Sequence, residues 1–166
     1  YLLKKSIGVT VATRTKSKAD AMIEGHPNGT SLAWTVDDEE TLDRLIEAHD
    51  LTVSLLPYAH HVMVAKKCIA HKKNMVTTSY VKPAMKALDE EARAAGIIIL
   101  NELGLDPGID HMSAMRIIDN VHNRDGNIEE FYSLCGALPA PEACDNPFNY
   151  KFSWSPKGVV MASNND

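Results

Sequence analysis

The sequence holds no G-x-G-x-x-G, no C-x-x-C and no His-x-x-x-His pair. It therefore displays neither a phosphate-binding glycine loop nor a paired-thiol or helical-histidine metal motif. Cysteine is scarce: Cys68, Cys135 and Cys144 make an odd count without paired spacing. That argues against a disulfide framework and for a reducing compartment, read here as the cytoplasm. Long apolar runs are missing too, since a stretch such as Gly96 to Leu100 is far too short to cross a bilayer. No signal peptide is visible, and the chain opens Tyr-Leu-Leu without Met, so the natural N-terminus is expected to lie elsewhere. Positive charge is in short supply, with 17 Lys and Arg against 22 Asp and Glu and a net charge of −5. Neither a nucleic acid nor an anionic membrane is the expected partner. The densest basic group, Lys66, Lys67, Lys72 and Lys73, brackets an expected helix end, where cations suit the carbonyl dipole. Asp106, Asp110 and His111 form D-x-x-x-D-H, and His60 and His61 are adjacent, but adjacent helical side chains point apart. No metal is expected.

What is present is an ordinary globular balance, 45% hydrophobic and 23% charged over 166 residues. Strand and helix patterns alternate along it. Strands are expected at Ile7–Ala12, Ser31–Val36, Leu51–Leu56, Asn74–Thr78 and Ile97–Asn101, as short apolar runs. Helices are expected between them: Ser17–Glu24 with Ser17 as cap, Asp38–His49 with Leu42, Leu45, Ile46 and His49 inward, and Ala59–His71 with Val62, Ala65 and Ile69 inward. A further helix opens at Pro83, carries the stripe Met85, Leu88, Ala92 and Ala95 and stops at Gly96; the last runs from Asp110 to His122. Tyr1–Lys5 reads as the tail of a helix leading into the first strand.

Alternating strands and helices, with strands that are apolar runs instead of two-faced patterns, imply an α/β fold: a parallel sheet with helices on both faces. After Asn123–Gly126 the rhythm changes, and strands are expected at Asn127–Leu138 and Tyr150–Ser163. The boundary is set at 124, with residues 1–124 as a nucleotide-binding Rossmann-type domain and 125–166 as the start of an α+β substrate domain. The simplest account of the missing glycine loop is that it and the first strand lay upstream.

In open parallel sheets ligands bind at the carboxyl ends of the strands. That makes Arg14, Pro57, Tyr58, Ser79, Tyr80 and the run Glu102–Gly108 the informative positions. An Arg after the first visible strand suits the 2′-phosphate of NADP, where an acidic residue would select NAD; Thr15, Lys16 and Lys18 add donors. The plain alternative is a solvated arginine.

At Asn101-Glu-Leu-Gly-Leu-Asp-Pro-Gly-Ile-Asp-His111 the sequence resembles the saccharopine dehydrogenases, specifically the glutamate-forming saccharopine reductases. So do Val53–Tyr58, Val76–Tyr80 with Pro83–Met85, Cys135–Glu142 and Asp145–Ser155. The resemblance implies interconversion of saccharopine with glutamate and 2-aminoadipate 6-semialdehyde in lysine metabolism, using NADP or NAD. It further implies that Ser79, Tyr80 and Asp106 contact the amino-acid substrate and that Arg14, Leu56, Pro57, Thr78 and Leu105 contact the cofactor. Later substrate residues of the family lie beyond Asp166, so this piece alone is not expected to be active, and a homodimer is admissible for the full-length protein.

Oxidising a secondary amine needs a hydride acceptor, a proton acceptor near nitrogen and activated water. Asp106 is the first candidate catalytic group, against its reading as a turn or cap residue. Tyr80 is the second, against simple packing, and Cys135 the third, against a small apolar filler. Two other functions remain open: a carboxynorspermidine-type imine reductase and a non-catalytic nucleotide-binding regulator.

Overall fold

The computed structural model describes residues 1–136, 138–152, 156 and 160. Strand β1 (Val9–Thr13), helix α1 (Lys16–Ile23) and strand β2 (Gly29–Ala33) form a first parallel unit, in register from Val9 opposite Gly29 to Thr13 opposite Ala33. Helix α1 packs on both strands, burying Ala19 and Ile23. Strand β2 ends at Ala33, before the expected Val36, although the backbone of Trp34 still donates to the Thr13 carbonyl of β1 at 3.0 Å; beyond that bond the Trp34 side chain turns inward. Its indole N–H donates to the Asp38 carbonyl at 2.9 Å, and its ring enters the core. Tyr1–Lys5 holds only a short 3-10 turn, Leu3–Lys5, where a helix tail was expected.

Helix α2 (Glu39–Ala48) starts at Asp38, whose carboxylate accepts the Thr41 N–H at 3.0 Å. This satisfies one of the helix's unpaired donors and suits its positive end. Strand β3 (Leu51–Ser54), helix α3 (His61–Ala70), strand β4 (Asn74–Thr77), helices α4 (Pro83–Lys86) and α5 (Asp89–Ala95), and strand β5 (Ile99–Leu100) follow. They form a second parallel sheet in the order β3-β4-β5. The helix expected to run unbroken from Pro83 breaks at Ala87–Leu88, yet Met85, Leu88 and Ala92 all remain buried on one side. Strand β5 is shorter than expected because the Ile98 N–H is taken by the Asn74 side chain at 2.9 Å, and Glu102 turns the chain with a φ of 63°.

One core joins these pieces: Trp34, then Leu42 and Ile46 of α2, Val64, Ala65 and Cys68 of α3, Met75 of β4, Met85, Leu88 and Ala92 of α4 and α5, and Ile97. Each large aliphatic side chain fully removed from water there is worth about 1.5–3 kcal/mol. The buried face of α3 differs from the expected one. His61, Val64, Ala65 and Cys68 point inward, at the i, i+3, i+4, i+7 spacing of one helix face, while Val62 and Ile69 only flank it.

The chain divides into two compact units, Tyr1–Ile109 and Asp110–Asp166. Helix α6 (Ile109–His122) buries none of its residues. Beyond it the strand expected at 127–138 does not form: its described residues are irregular, and Leu134 is wholly exposed. For the strand expected at 150–163, residues 150–152 are irregular and Pro156 and Val160 helical; the others lie outside the described residues. The sequence there carries strand-like apolar content, but a strand exists only where a neighbour takes up its N–H and C=O groups. No such neighbour lies among the described residues. No helix among them is long and apolar enough to cross a membrane.

Candidate functional site at the strand exits

Within the first unit the carboxyl ends of β3, β4 and β5 are tied into one cluster. Ser54 closes β3 and Thr77 closes β4, and both are buried. Between them lies the His61 ring. Its Nδ1 is 2.9 Å from Ser54 Oγ; its Nε2 is 3.0 Å from Thr77 Oγ1 and 2.8 Å from Ser79 Oγ. Burial, with a smaller contribution from neighbouring His60, pushes the imidazole below its ordinary range. It therefore stands neutral at physiological pH.

The turn after β4 is pinned to the loop after β5. The Leu103 N–H donates to the Thr77 carbonyl and the Glu102 N–H to the Ser79 carbonyl, both at 3.1 Å, while the Val81 N–H donates to Glu102 Oε1 at 3.0 Å. Across this joint the Tyr80 hydroxyl donates to Asp106 Oδ1 at 3.0 Å. Asp106 is exposed, and its loop is held from below by buried Pro107 and Gly108. Gly108 has a φ of 146°, and a Cβ there would strike the Gly104 backbone and lie 2.9 Å from the Glu102 carbonyl oxygen, so only glycine closes this loop. At the mouth of the same loop Asn101 Oδ1 is buried without a partner among the described residues. On the β3 side, Lys82 Nζ stands 5.9 Å over the Tyr58 ring, joining the two exit turns.

At the exit of β1, Arg14 is exposed. Lys16 beside it is already engaged: its Nζ is 2.7 Å from Asp20 Oδ1 and 2.9 Å from Ser31 Oγ. The Lys16 contact, followed by the Ser31 hydroxyl, holds the Asp20 carboxyl below its ordinary value. Of the two lysines expected to add positive charge at this exit, Lys16 is thus committed to a carboxylate.

Two family models match all of the chain but residues 101–103. Residues 1–100 fit the saccharopine dehydrogenase NADP binding domain, and residues 104–166 the saccharopine dehydrogenase C-terminal domain. The chain belongs to the saccharopine dehydrogenase family. Among its relatives, the NADP-dependent, L-glutamate-forming saccharopine dehydrogenase of Schizosaccharomyces pombe is 51% identical over 98% of this chain and 36% of its own. The mitochondrial alpha-aminoadipic semialdehyde synthase of Bos taurus is 47% identical over 97% of this chain and 18% of its own. The apo structure of the L-glutamate-forming saccharopine dehydrogenase of Saccharomyces cerevisiae superposes with a TM-score of 0.79, at 44% identity, over 97% of this chain and 37% of that one. The chain thus spans about a third of the length of the saccharopine dehydrogenases it matches.

The residues named from sequence fall in three places. Ser79, Tyr80, Asp106, Leu56, Pro57, Thr78 and Leu105 all sit on the exits of β3, β4 and β5, and Tyr80 and Asp106 are in direct contact. Thr78 packs against Gly104, whose added Cβ would lie 3.2 Å from the Thr78 Cβ. Arg14 sits on the exit of β1, and exposed Cys135 belongs to the second unit. Lys82 went unnamed in the sequence, Glu102 was singled out only as the start of the run after β5, and His61 only as a neighbour of His60 in a metal pattern that was set aside. For His61 a signal was available, because Val64, Ala65 and Cys68 mark its own helix face as the buried one. For Lys82 over Tyr58, and for the bond between Glu102 and Val81, there was none, since these partners are distant in sequence.

Proposed function

We propose that the full-length protein is an NADP-dependent oxidoreductase that interconverts saccharopine with glutamate and 2-aminoadipate 6-semialdehyde at a CH–NH bond. The observation that carries this reading is the Tyr80–Asp106 pair, which ties the β4 exit, within the stretch matching the family's NADP binding domain, to the loop after β5, within the stretch matching its C-terminal domain. The relatives' names point the same way.

The residues present fit the cofactor. Arg14 offers an exposed guanidinium at the β1 exit, where a 2′-phosphate would be met. Leu56, Pro57, Thr78 and Leu105 would line the remainder of its path. When bound, NADP supplies the hydride acceptor. Asp106 would hold the cationic amine of the substrate, with Tyr80 aligning the carboxylate by donating to it. Ser79 would bind a polar group of the amino-acid substrate. Among Asp106, Tyr80 and Cys135, Asp106 is the first candidate to take the amine proton, because its carboxyl group is exposed at the strand exits and already accepts a hydrogen bond from Tyr80. We take residues 1–124 as the cofactor domain and 125–166 as the start of the substrate domain. The net charge of −5 supports a small-molecule substrate over a nucleic acid, and three cysteines in an odd count without paired spacing support a reducing compartment such as the cytoplasm. A homodimer is compatible with this assignment.

The test is a spectrophotometric assay of the full-length gene product with saccharopine and each nicotinamide cofactor in turn. Reduction of NADP in preference to NAD is expected. Cofactor binding without any saccharopine-dependent reduction would overturn the reading, in favour of a carboxynorspermidine-type substrate or a regulator.

A further inference from the structure

His61 is buried, 2% exposed, and it touches three hydroxyls that belong to three separate backbone points. Its own backbone is fixed, because Val64, Ala65 and Cys68 seat the same face of α3 in the core. The ring is therefore a rigid post, and two of the three hydroxyls it meets are on strand ends. The third, Ser79 Oγ, lies on the half-exposed turn after β4.

A serine hydroxyl rotates freely and offers one donor and two acceptor directions. On an open turn such a group has no defined direction of its own. Here Nε2 occupies one of those directions at 2.8 Å, and the Ser79 N–H is drawn toward Thr77 Oγ1 at 3.4 Å. In either neutral tautomer the ring consumes one bonding direction of Ser79 and leaves the others for a ligand.

We propose that His61 is the positioning residue for Ser79: anchored between Ser54 and Thr77, it fixes the direction in which the Ser79 hydroxyl meets the substrate. The proposal rests on the substrate-binding role given to Ser79 above. It assigns His61 no contact with substrate or cofactor.

The test uses the full-length gene product carrying His61→Asn, His61→Gln, Ser79→Ala, and His61→Asn with Ser79→Ala. Asn is too short to reach the place of Nε2 from α3, whereas Gln reaches it. His61→Asn is expected to raise the KM for saccharopine about tenfold, the loss of one oriented hydrogen bond, with the KM for NADP unchanged. In the Ser79→Ala background the same substitution should change saccharopine KM less than twofold, and His61→Gln should recover most of the loss. An equal loss with and without Ser79, or a parallel rise in both KM values, would mean that His61 merely holds up the fold, and would overturn the proposal.

A second measurement separates this from failure of the assigned reaction. Histidine-selective 15N spectra are recorded on the wild type and on Ser79→Ala, with the His61 signals identified by their loss in His61→Gln. Removing Ser79 should move the Nε2 resonance and leave Nδ1, on Ser54, in place. If the wild type does not turn over saccharopine, the assigned reaction fails, while a moved Nε2 still upholds the positioning contact. An unmoved Nε2 overturns the contact whatever the substrate.

Discussion

Arg14 and Lys16 are two positions apart at the β1 exit, and composition treats them alike. The structure separates them: Lys16 is spent on Asp20 and Ser31, while Arg14 is exposed. Discrimination between NADP and NAD should therefore depend on Arg14. Arg14→Asp is expected to weaken NADP binding by roughly ten- to a hundredfold, the range of one charge-assisted contact, and NAD binding far less. Titration of full-length protein with each cofactor checks this, and equal losses would remove Arg14 from the phosphate site. A second expectation at this scale concerns His61, whose folded-state pKa lies below its ordinary 6.5. Below pH 6.5 the unfolded chain binds a proton on His61 that the folded one does not, so folding stability should fall as the pH drops through that window. Above it both states are neutral and the group contributes no slope. The groups against the ring are the hydroxyls of Ser54, Thr77 and Ser79, with His60 as the titratable neighbour. Melting temperatures between pH 7 and 5 should show a smaller decline in His61→Gln than in wild type. Neither the Ser79–His61 bond nor the Tyr80–Asp106 pair could be read from sequence, because 18 and 26 positions of chain separate the partners. The motifs named residues that lie on the exits of β3, β4 and β5; which side chains met there depended on how β4 and β5 pair.

At the level of elements the alternating pattern was legible because each apolar run is short and bounded by Gly, Pro or polar residues. Boundaries were legible where one residue makes the stop, as at Asp38 with its capping bond and at Gly96 with a φ of 73°. They were not where a tertiary partner intervenes, as when the Trp34 indole bonds the Asp38 carbonyl or Asn74 takes the Ile98 N–H. Strand β4 is central to the β3-β4-β5 sheet, and Met75, 0% exposed, is its inward residue. Met75→Ala should cost about 2–5 kcal/mol, since the removed atoms leave a cavity between α3 and the sheet. Urea unfolding of the chain is the measurement: the midpoint should fall with little change in slope. A loss under about 1 kcal/mol would mean that the neighbouring side chains refill the space and that the cluster is not the stabilising core described.

For the whole molecule the open issue is where α6 belongs. By compactness it groups with the residues that follow, whereas the proposed function keeps it with the cofactor domain and sets the boundary at 124. The two flanking segments differ physically. Residues 101–109 are tied down by backbone bonds from Glu102, Leu103, Gly104 and Ile109, and by the Tyr80–Asp106 contact. Residues 127–134 make no backbone hydrogen bond among the described residues. Proteases need several residues of extended, unbonded backbone, so the second segment is the weaker one. Both segments contain bonds that thermolysin cleaves, before Leu103, Leu105 and Ile109 in one and before Ile128 and Phe131 in the other. Limited thermolysis of the full-length product should cut first before Ile128 or Phe131 and leave α6 on the nucleotide-binding fragment, which mass spectrometry reads directly. Bound NADP should slow any cut between 101 and 109 and leave the later one unaffected, because only the first segment lines the proposed cofactor path. A first cut before α6 would instead assign that helix to the substrate domain, and the boundary would move from 124 to the loop that carries Asp106.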